Sequence, residues 1–232
     1  MRLPKRRSAV YEFVMQTEQF PLSNEALAAC VDLLRAGGLG IVPTDTVYGI
    51  VADIRSDAAV RTLYAAKGKG NEAPLQLLFA PGPVEVARFA ALNPPANALI
   101  EALGPGGWTI IVPAAPGWNS PALAGGATVG IRIPDAAAVH ELVRSLGAPV
   151  AASSANRHGE PSPTTCAEAV TQVGSACEFA IDAGPTARGL DSTVIDCSGD
   201  DVRILREGAI DRHQVARILG LSDIPVLRSV RQ

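Results

Sequence analysis

The segment Ser153-Ser154-Ala155-Asn156-Arg157-His158-Gly159-Glu160-Pro161-Ser162-Pro163-Thr164-Thr165 concentrates five hydroxyls, one amide and two prolines in thirteen residues. It follows the small apolar run Ala148-Pro149-Val150-Ala151-Ala152, which reads as a buried strand. The polar cluster therefore sits at a strand end, where α/β sheets usually bind their ligands. Hydroxyls and an amide held by prolines can hydrogen-bond a polar ligand without adding charge of their own. The same residues can equally form a plain turn that caps the next helix, with Ser162 or Thr164 as N-cap.

Other polar clusters fall near predicted strand ends. They are Thr44, Asp45, Thr46 and Tyr48; the pair Lys67 and Lys69; Arg132; and Ser192 and Thr193 with Arg206. Together they supply cations and hydroxyls but no obvious catalytic base. No nucleophilic triad assembles: His140 lies in an apolar helical pattern, and His158 and His213 fall in predicted loops or helix starts. Neither G-x-x-x-x-G-K-[ST] nor G-x-G-x-x-G occurs. Cations and positioned donors suit phosphoryl and nucleotidyl transfer, where the protein mainly orients groups and neutralises charge. Lys67 and Lys69 can hold a polyphosphate, although lysines after a helix are also ordinary solvated charges. Arg132 sits inside an apolar strand, and burying it alone is costly. It is expected to face a ligand carboxylate, which its planar fork suits, or a protein carboxylate such as Asp135.

The elements that must position these groups alternate along the chain. Helices are predicted over 23–37, 57–67, 84–91, 97–103, 136–146, 165–173 and 211–219. Strands are predicted at 40–42, 75–79, 108–112, 129–133, 148–153, 179–182, 192–196 and 202–206. No repeat and no long linker divides them. The expectation is one α/β domain with a twisted mixed sheet and flanking helices, bounded at 23–215 by an N-terminal extension (1–22) and a C-terminal tail (216–232).

Composition narrows the class. Hydrophobic residues make up 47% and aromatics only 4%, so the core must be built from small aliphatic side chains. A net charge of −3 gives no global affinity for nucleic acid. The basic start, Arg2, Lys5, Arg6 and Arg7, reads as a solvated tail that can also touch RNA phosphates. Cys30, Cys166, Cys177 and Cys197 form no CxxC pair and read as buried free thiols of a reducing cytosol. No apolar run is long enough for a membrane span, and no secretory h-region follows the basic start. A cytoplasmic protein without membrane partners is expected.

Six ordered motifs resemble one family. They are Pro43-Thr44-Asp45-Thr46-Val47-Tyr48-Gly49, Lys67-x-Lys69, Gly130-Ile131-Arg132-Ile133-Pro134, Ser154-Ala155-Asn156 through Pro163, Asp191-Ser192-Thr193-Val194-Ile195-Asp196, and Leu205-Arg206-x-Gly208. In this order they resemble the YrdC-domain threonylcarbamoyl-AMP synthases of TsaC type, across about residues 23–215. The chain length fits the short, single-domain form of that family. The resemblance implies an enzyme that joins L-threonine, bicarbonate and ATP into threonylcarbamoyl-adenylate and pyrophosphate, with Mg2+ accompanying the nucleotide. Threonine's amine would form a carbamate, which would then attack the α-phosphate. The adenylate would supply downstream threonylcarbamoyl transferase proteins that modify tRNA.

By motif, the resemblance assigns Thr46, Thr109, Arg132 and Ser192 to threonine. It assigns Lys67, Lys69, Ser154, Asn156, Ser162 and Arg206 to ATP, with Lys67, Lys69, Ser154 and Asn156 as the catalytic set. Two departures fall on one wall of the implied cleft. Lys69 stands where the family usually has Arg, and Ala73 and Leu78 stand where it often has Asn and His. A divergent relative that binds structured RNA or nucleotide with little synthase activity is the alternative. A carbamoyl-adenylate module of the hydrogenase-maturation kind ranks behind it, because such modules sit in much longer chains.

Overall fold

The computed structural model describes residues 17–68, 73–82 and 86–227. Lys69, the basic start and part of the helix predicted over 84–91 lie outside those residues. In chain order the elements are β1 (Glu18–Pro21), α1 (Asn24–Arg35), β2 (Leu39–Val42), β3 (Gly49–Asp53), α2 (Asp57–Ala66), β4 (Gln76–Leu78), α3 (Pro94–Leu103), β5 (Trp108–Pro113), β6 (Thr128–Arg132), α4 (Ala137–Leu146), β7 (Val150–Ser154), α5 (Cys166–Val173), β8 (Phe179–Asp182), β9 (Thr193–Asp196), β10 (Arg203–Arg206) and α6 (Arg212–Ile218). Short 3-10 turns cover Val86–Arg88, Pro121–Leu123 and Gly174–Ala176.

The strands form one sheet in the order β1-β8-β2-β3-β7-β4-β6-β5-β9-β10. The sheet is mixed: β4 runs parallel to β6 and β5 to β9, whereas β3 and β4 both run antiparallel to β7. This is the single α/β domain that the alternation of elements predicts.

Helix starts follow local chemistry. The Ser23 side chain accepts from Ala26 N at 3.1 Å and opens α1. The Ser56 hydroxyl does the same for Ala59 N and opens α2. The next cap differs from the expectation: Thr165, not Ser162 or Thr164, is the N-cap of α5, in a reciprocal capping box with Glu168. Ser162 is thereby left for another role.

Residues alternate between the two faces of the sheet, as the period of a strand requires. Ile41, Ile50, Ala52, Leu77, Ala151 and Ala180 enter one core. Their neighbours Val42, Val51, Leu78, Ala152 and Phe179 enter the other, which α1 and α4 close with Leu27, Cys30, Leu34, Val139 and Leu142. Gly40 pairs with Phe179 across β2 and β8, and a Cβ on it would stand 2.0 Å from the Phe179 ring. Only glycine lets that ring lie flat on the strand.

Two strands are additional to those predicted. β3 follows the Thr44–Tyr48 turn without a break in apolar character, and β1 is too short to show a period. The helix predicted over 84–91 shows only one 3-10 turn among its described residues. β1 adds Glu18–Pro21 to the sheet beside β8, and Val226 bridges to Ile204 beyond α6.

Candidate active site

Strands β5, β6 and β9 contribute nothing to the core that α1 and α4 close. On that face they present Thr109 and Ile111, Gly130 and Arg132, and Val194. The alternate residues Ile110, Val129, Ile131 and Ile195 point to the opposite core. The bare stretch of sheet forms the floor of a cavity of about 340 Å³. Thr44, Tyr48, Gln76, Ser153, Ser154, Asp191, Ser192 and Arg206 complete its polar lining.

Arg132 is 2% exposed. Its Nη2 donates to Asp45 Oδ1 at 2.7 Å and to Thr46 Oγ1 at 2.8 Å, and its Nε donates to Gly106 O at 3.3 Å. Nη1 makes no hydrogen bond to a described residue. Burial lowers the Arg132 pKa from its ordinary value; Asp45 opposes that shift, Arg206 adds to it and Asp191 opposes it. The carboxylate partner is thus Asp45 and not Asp135. Asp135 offers only its backbone N–H, at 3.2 Å, to the same Asp45 Oδ1. Asp45 Oδ2 lies 3.3 Å from Arg188 Nε, without hydrogen-bond geometry. The Thr44 hydroxyl lies 3.0 Å from that of Thr46 and donates to Val47 O, which stiffens the turn carrying Asp45.

A second network crosses the far wall. Arg206 donates from Nε and Nη2 to Ser192 O at 3.0 and 2.9 Å, and from Nη2 to Ser192 Oγ at 3.1 Å. Ser192 Oγ lies 2.9 Å from Thr109 Oγ1, which donates to Gln76 Oε1 at 2.7 Å. Arg206 Nη1 lies 3.5 Å from Asp191 Oδ2, and Ser162 Oγ donates to both Asp191 oxygens at 3.1 and 3.2 Å. Gly208 holds this wall in place. A Cβ on it would stand 2.3 Å from Asp191 O and 2.7 Å from the Ser192 carbonyl carbon, both rigid backbone. Gly208→Ala is therefore expected to destabilise the fold by about 1–3 kcal/mol, read as a lower urea midpoint. An unchanged midpoint would show that the wall yields.

The third wall is the loop after β7. Lys67, at the C-cap of α2, is buried, and its ammonium donates to Ser154 O, to Asn156 O at 2.8 Å and to Asn156 Oδ1 at 3.2 Å. Asn156 Oδ1 also accepts from the Ser154 hydroxyl, and Nδ2 donates to Arg157 O and Glu160 O at 3.0 and 2.6 Å. Tyr48 pins the same loop through its backbone, with its N–H on Pro163 O and its carbonyl accepting from Ala155 N. The Tyr48 hydroxyl donates to Gly184 O, and burial pushes its pKa up to about 12.

Among the residues singled out in the sequence, Thr109, Arg132, Ser154, Ser192 and Arg206 line the cavity. Thr46, Ser162, Asn156 and Lys67 stand one hydrogen bond behind it, each tied to a lining residue. The Lys67 ammonium braces the loop rather than facing the cavity. Sequence reasoning assigned no role to Asp45, Gln76, Arg188 or Asp191. The first and last lie inside motifs already noted, so their signal was present without an indication of what they face.

The chain matches the family Sua5_yciO_yrdC, described as telomere recombination, over residues 32–208. It is 34% identical over 213 residues to a Bacillus subtilis protein named threonylcarbamoyl-AMP synthase, covering 90% of this chain and 60% of that one. A Mus musculus protein of the same name is 35% identical over 181 residues, covering 75% and 63%. Pyrococcus abyssi Sua5 complexed with L-threonine superposes with a TM-score of 0.83 at 27% identity, over 91% of this chain and 62% of that one. The chain thus spans about three fifths of the length of these relatives. Escherichia coli YciO, at 21% identity and a TM-score of 0.76, shares the fold. With a family match over most of its length and relatives above 30% identity, the chain belongs to the Sua5/YciO/YrdC family.

Proposed function

We propose that this protein is an L-threonylcarbamoyladenylate synthase, which converts L-threonine, bicarbonate and ATP to threonylcarbamoyl-AMP and pyrophosphate for tRNA threonylcarbamoyladenosine modification. The observation that carries the proposal is a buried arginine whose Nη1 is left over for a ligand, facing a row of hydroxyls in a cavity of amino-acid size. Arg132 takes the threonine carboxylate, and Thr109 and Ser192 take its polar edges. Thr46 acts behind Arg132 by holding its guanidinium. The volume suits a small zwitterion.

The nucleotide lies along the Ser154 and Arg206 walls. Lys67 and Asn156 hold the Ser154 loop in shape, and Ser162 and Asp191 steady Arg206. Mg2+ enters as part of the substrate, Mg·ATP, with phosphate oxygens and water as its ligands. Rate acceleration comes from orientation and from cations placed where charge develops. The four cysteines are free and buried, which suits a reducing cytoplasm. Among the described residues no helix is long and apolar enough to cross a membrane. The product passes to a threonylcarbamoyl transferase acting on tRNA.

Purified protein is expected to release pyrophosphate from ATP only when threonine and bicarbonate are both present. Release that is the same without threonine would overturn the proposal.

A further inference from the structure

We infer, resting on the synthase reading, that Asp191 is the base that takes the proton released when threonine's α-amine adds to CO2. Carbamate formation must dispose of protons. As the N–C bond forms, a C–O π pair moves to oxygen and an N–H proton leaves: R–NH2 + CO2 + Asp191–COO− gives R–NH–COO− + Asp191–COOH. Threonine's ammonium first loses one proton to solvent, and bicarbonate takes up one proton and releases water to give CO2 (HCO3− + H+ → CO2 + H2O). The proton taken by Asp191 is thus the net one released, and it passes on to solvent through the open cavity. Attack on carbon makes the nitrogen far more acidic, so a carboxylate suffices to receive the proton at that point.

The geometry singles out Asp191. Among the described residues it is the only carboxylate lining the cavity, and no histidine or lysine lines it. Asp45 is buried behind Arg132, to which it is paired, and does not line the cavity. Tyr48 also lines the cavity, but its hydroxyl is bound to Gly184 O on the far side. Asp191 is one third exposed, so it can touch a ligand and return its proton to water. Three groups face it: Ser162 from the loop before α5, Arg206 from β10 and Arg132 from β6. Arg132 and Asp191 line the same cavity. They are placed to receive the two ends of one amino acid, carboxylate at Arg132 and amine at Asp191.

A purely structural Asp191, holding Ser162 and Arg206, would behave differently. Adenylation run in reverse, threonylcarbamoyl-AMP plus pyrophosphate to ATP and the carbamate, needs no proton removal from an amine. Asp191→Asn is isosteric and leaves the hydrogen-bonded frame near its native shape. It is expected to lower forward turnover from threonine and bicarbonate by about 10²-fold or more. Reverse ATP formation from threonylcarbamoyl-AMP, which suffers only the weaker support of Arg206, should fall about tenfold less than the forward rate, and Asp191→Glu should recover part of the forward rate. Equal losses in both directions would make Asp191 a structural clamp and overturn the inference, as would an unchanged forward rate. If the unaltered protein forms no threonylcarbamoyl-AMP, the synthase reading itself fails, which is a separate result.

Discussion

Arg132→Ala is expected to remove measurable threonine binding and to destabilise the fold. Two effects add. The Nη1 group proposed to meet the ligand carboxylate is lost, and truncating one side of a buried, hydrogen-bonded charge pair weakens binding by about 2–5 kcal/mol. The Asp45 carboxylate is then left buried beside Thr46, with only the exposed Arg188 near it, and breaking such a pair costs about 3–5 kcal/mol. A domain with a typical stability of about 5–15 kcal/mol survives that loss only partly. Calorimetric titration with threonine and a urea melt read the two effects separately. Arg132→Lys separates them further, because it keeps a cation near Asp45 but cannot serve Asp45, Thr46 and a ligand at once from a single ammonium. Threonine affinity unchanged in Arg132→Lys and Arg132→Ala alike would refute the assigned role.

Lys67→Met should damage nucleotide use while sparing threonine. The lysine ammonium satisfies two backbone carbonyls and the Asn156 side chain within the loop that presents Ser154. Hydrogen bonds to a charged group contribute about 1.5–3 kcal/mol each, and acceptors stripped of a partner in a buried loop must shift or admit water. A displacement of about 1 Å in a group that positions substrate can lower turnover by about 10²-fold. The expected result is a higher KM for ATP together with a lower kcat, with threonine affinity within a few-fold of the unaltered protein. An intact ATP KM and kcat would contradict the bracing role. An equal loss of threonine affinity would show that the three walls of the cavity do not act separately.

The departures from the family pattern look different in the folded molecule. Leu78, where the family resemblance leads one to expect His, lines the cavity and also packs into the core closed by α1 and α4. Ala73 lines the cavity too, next to Gln76, which accepts from the Thr109 hydroxyl. Gln76 supplies a polar group on this wall.

Much of this protein was legible in the chain alone. Alternating helical and strand patterns determined the α/β class, because 3.6- and 2-residue periods survive in any tertiary context. Residue types determined the chemistry: hydroxyls, an amide and cations with few bases suit charge neutralisation and orientation. Pairing across the sheet was settled only in three dimensions. Sequence distance favoured Asp135 as the partner of Arg132, yet Asp45, 87 positions away, holds it. β6 ends at Arg132, and the turn between β2 and β3 delivers Asp45 to the same point. The direction of the Lys67 ammonium and the place of Asp191 in the cavity were likewise tertiary outcomes. Arg132 depends on the register of β6, where a shift of one residue would turn it to the opposite face, and Asp45, Lys67 and Asp191 depend on where the turns and the helix end around the sheet deliver them.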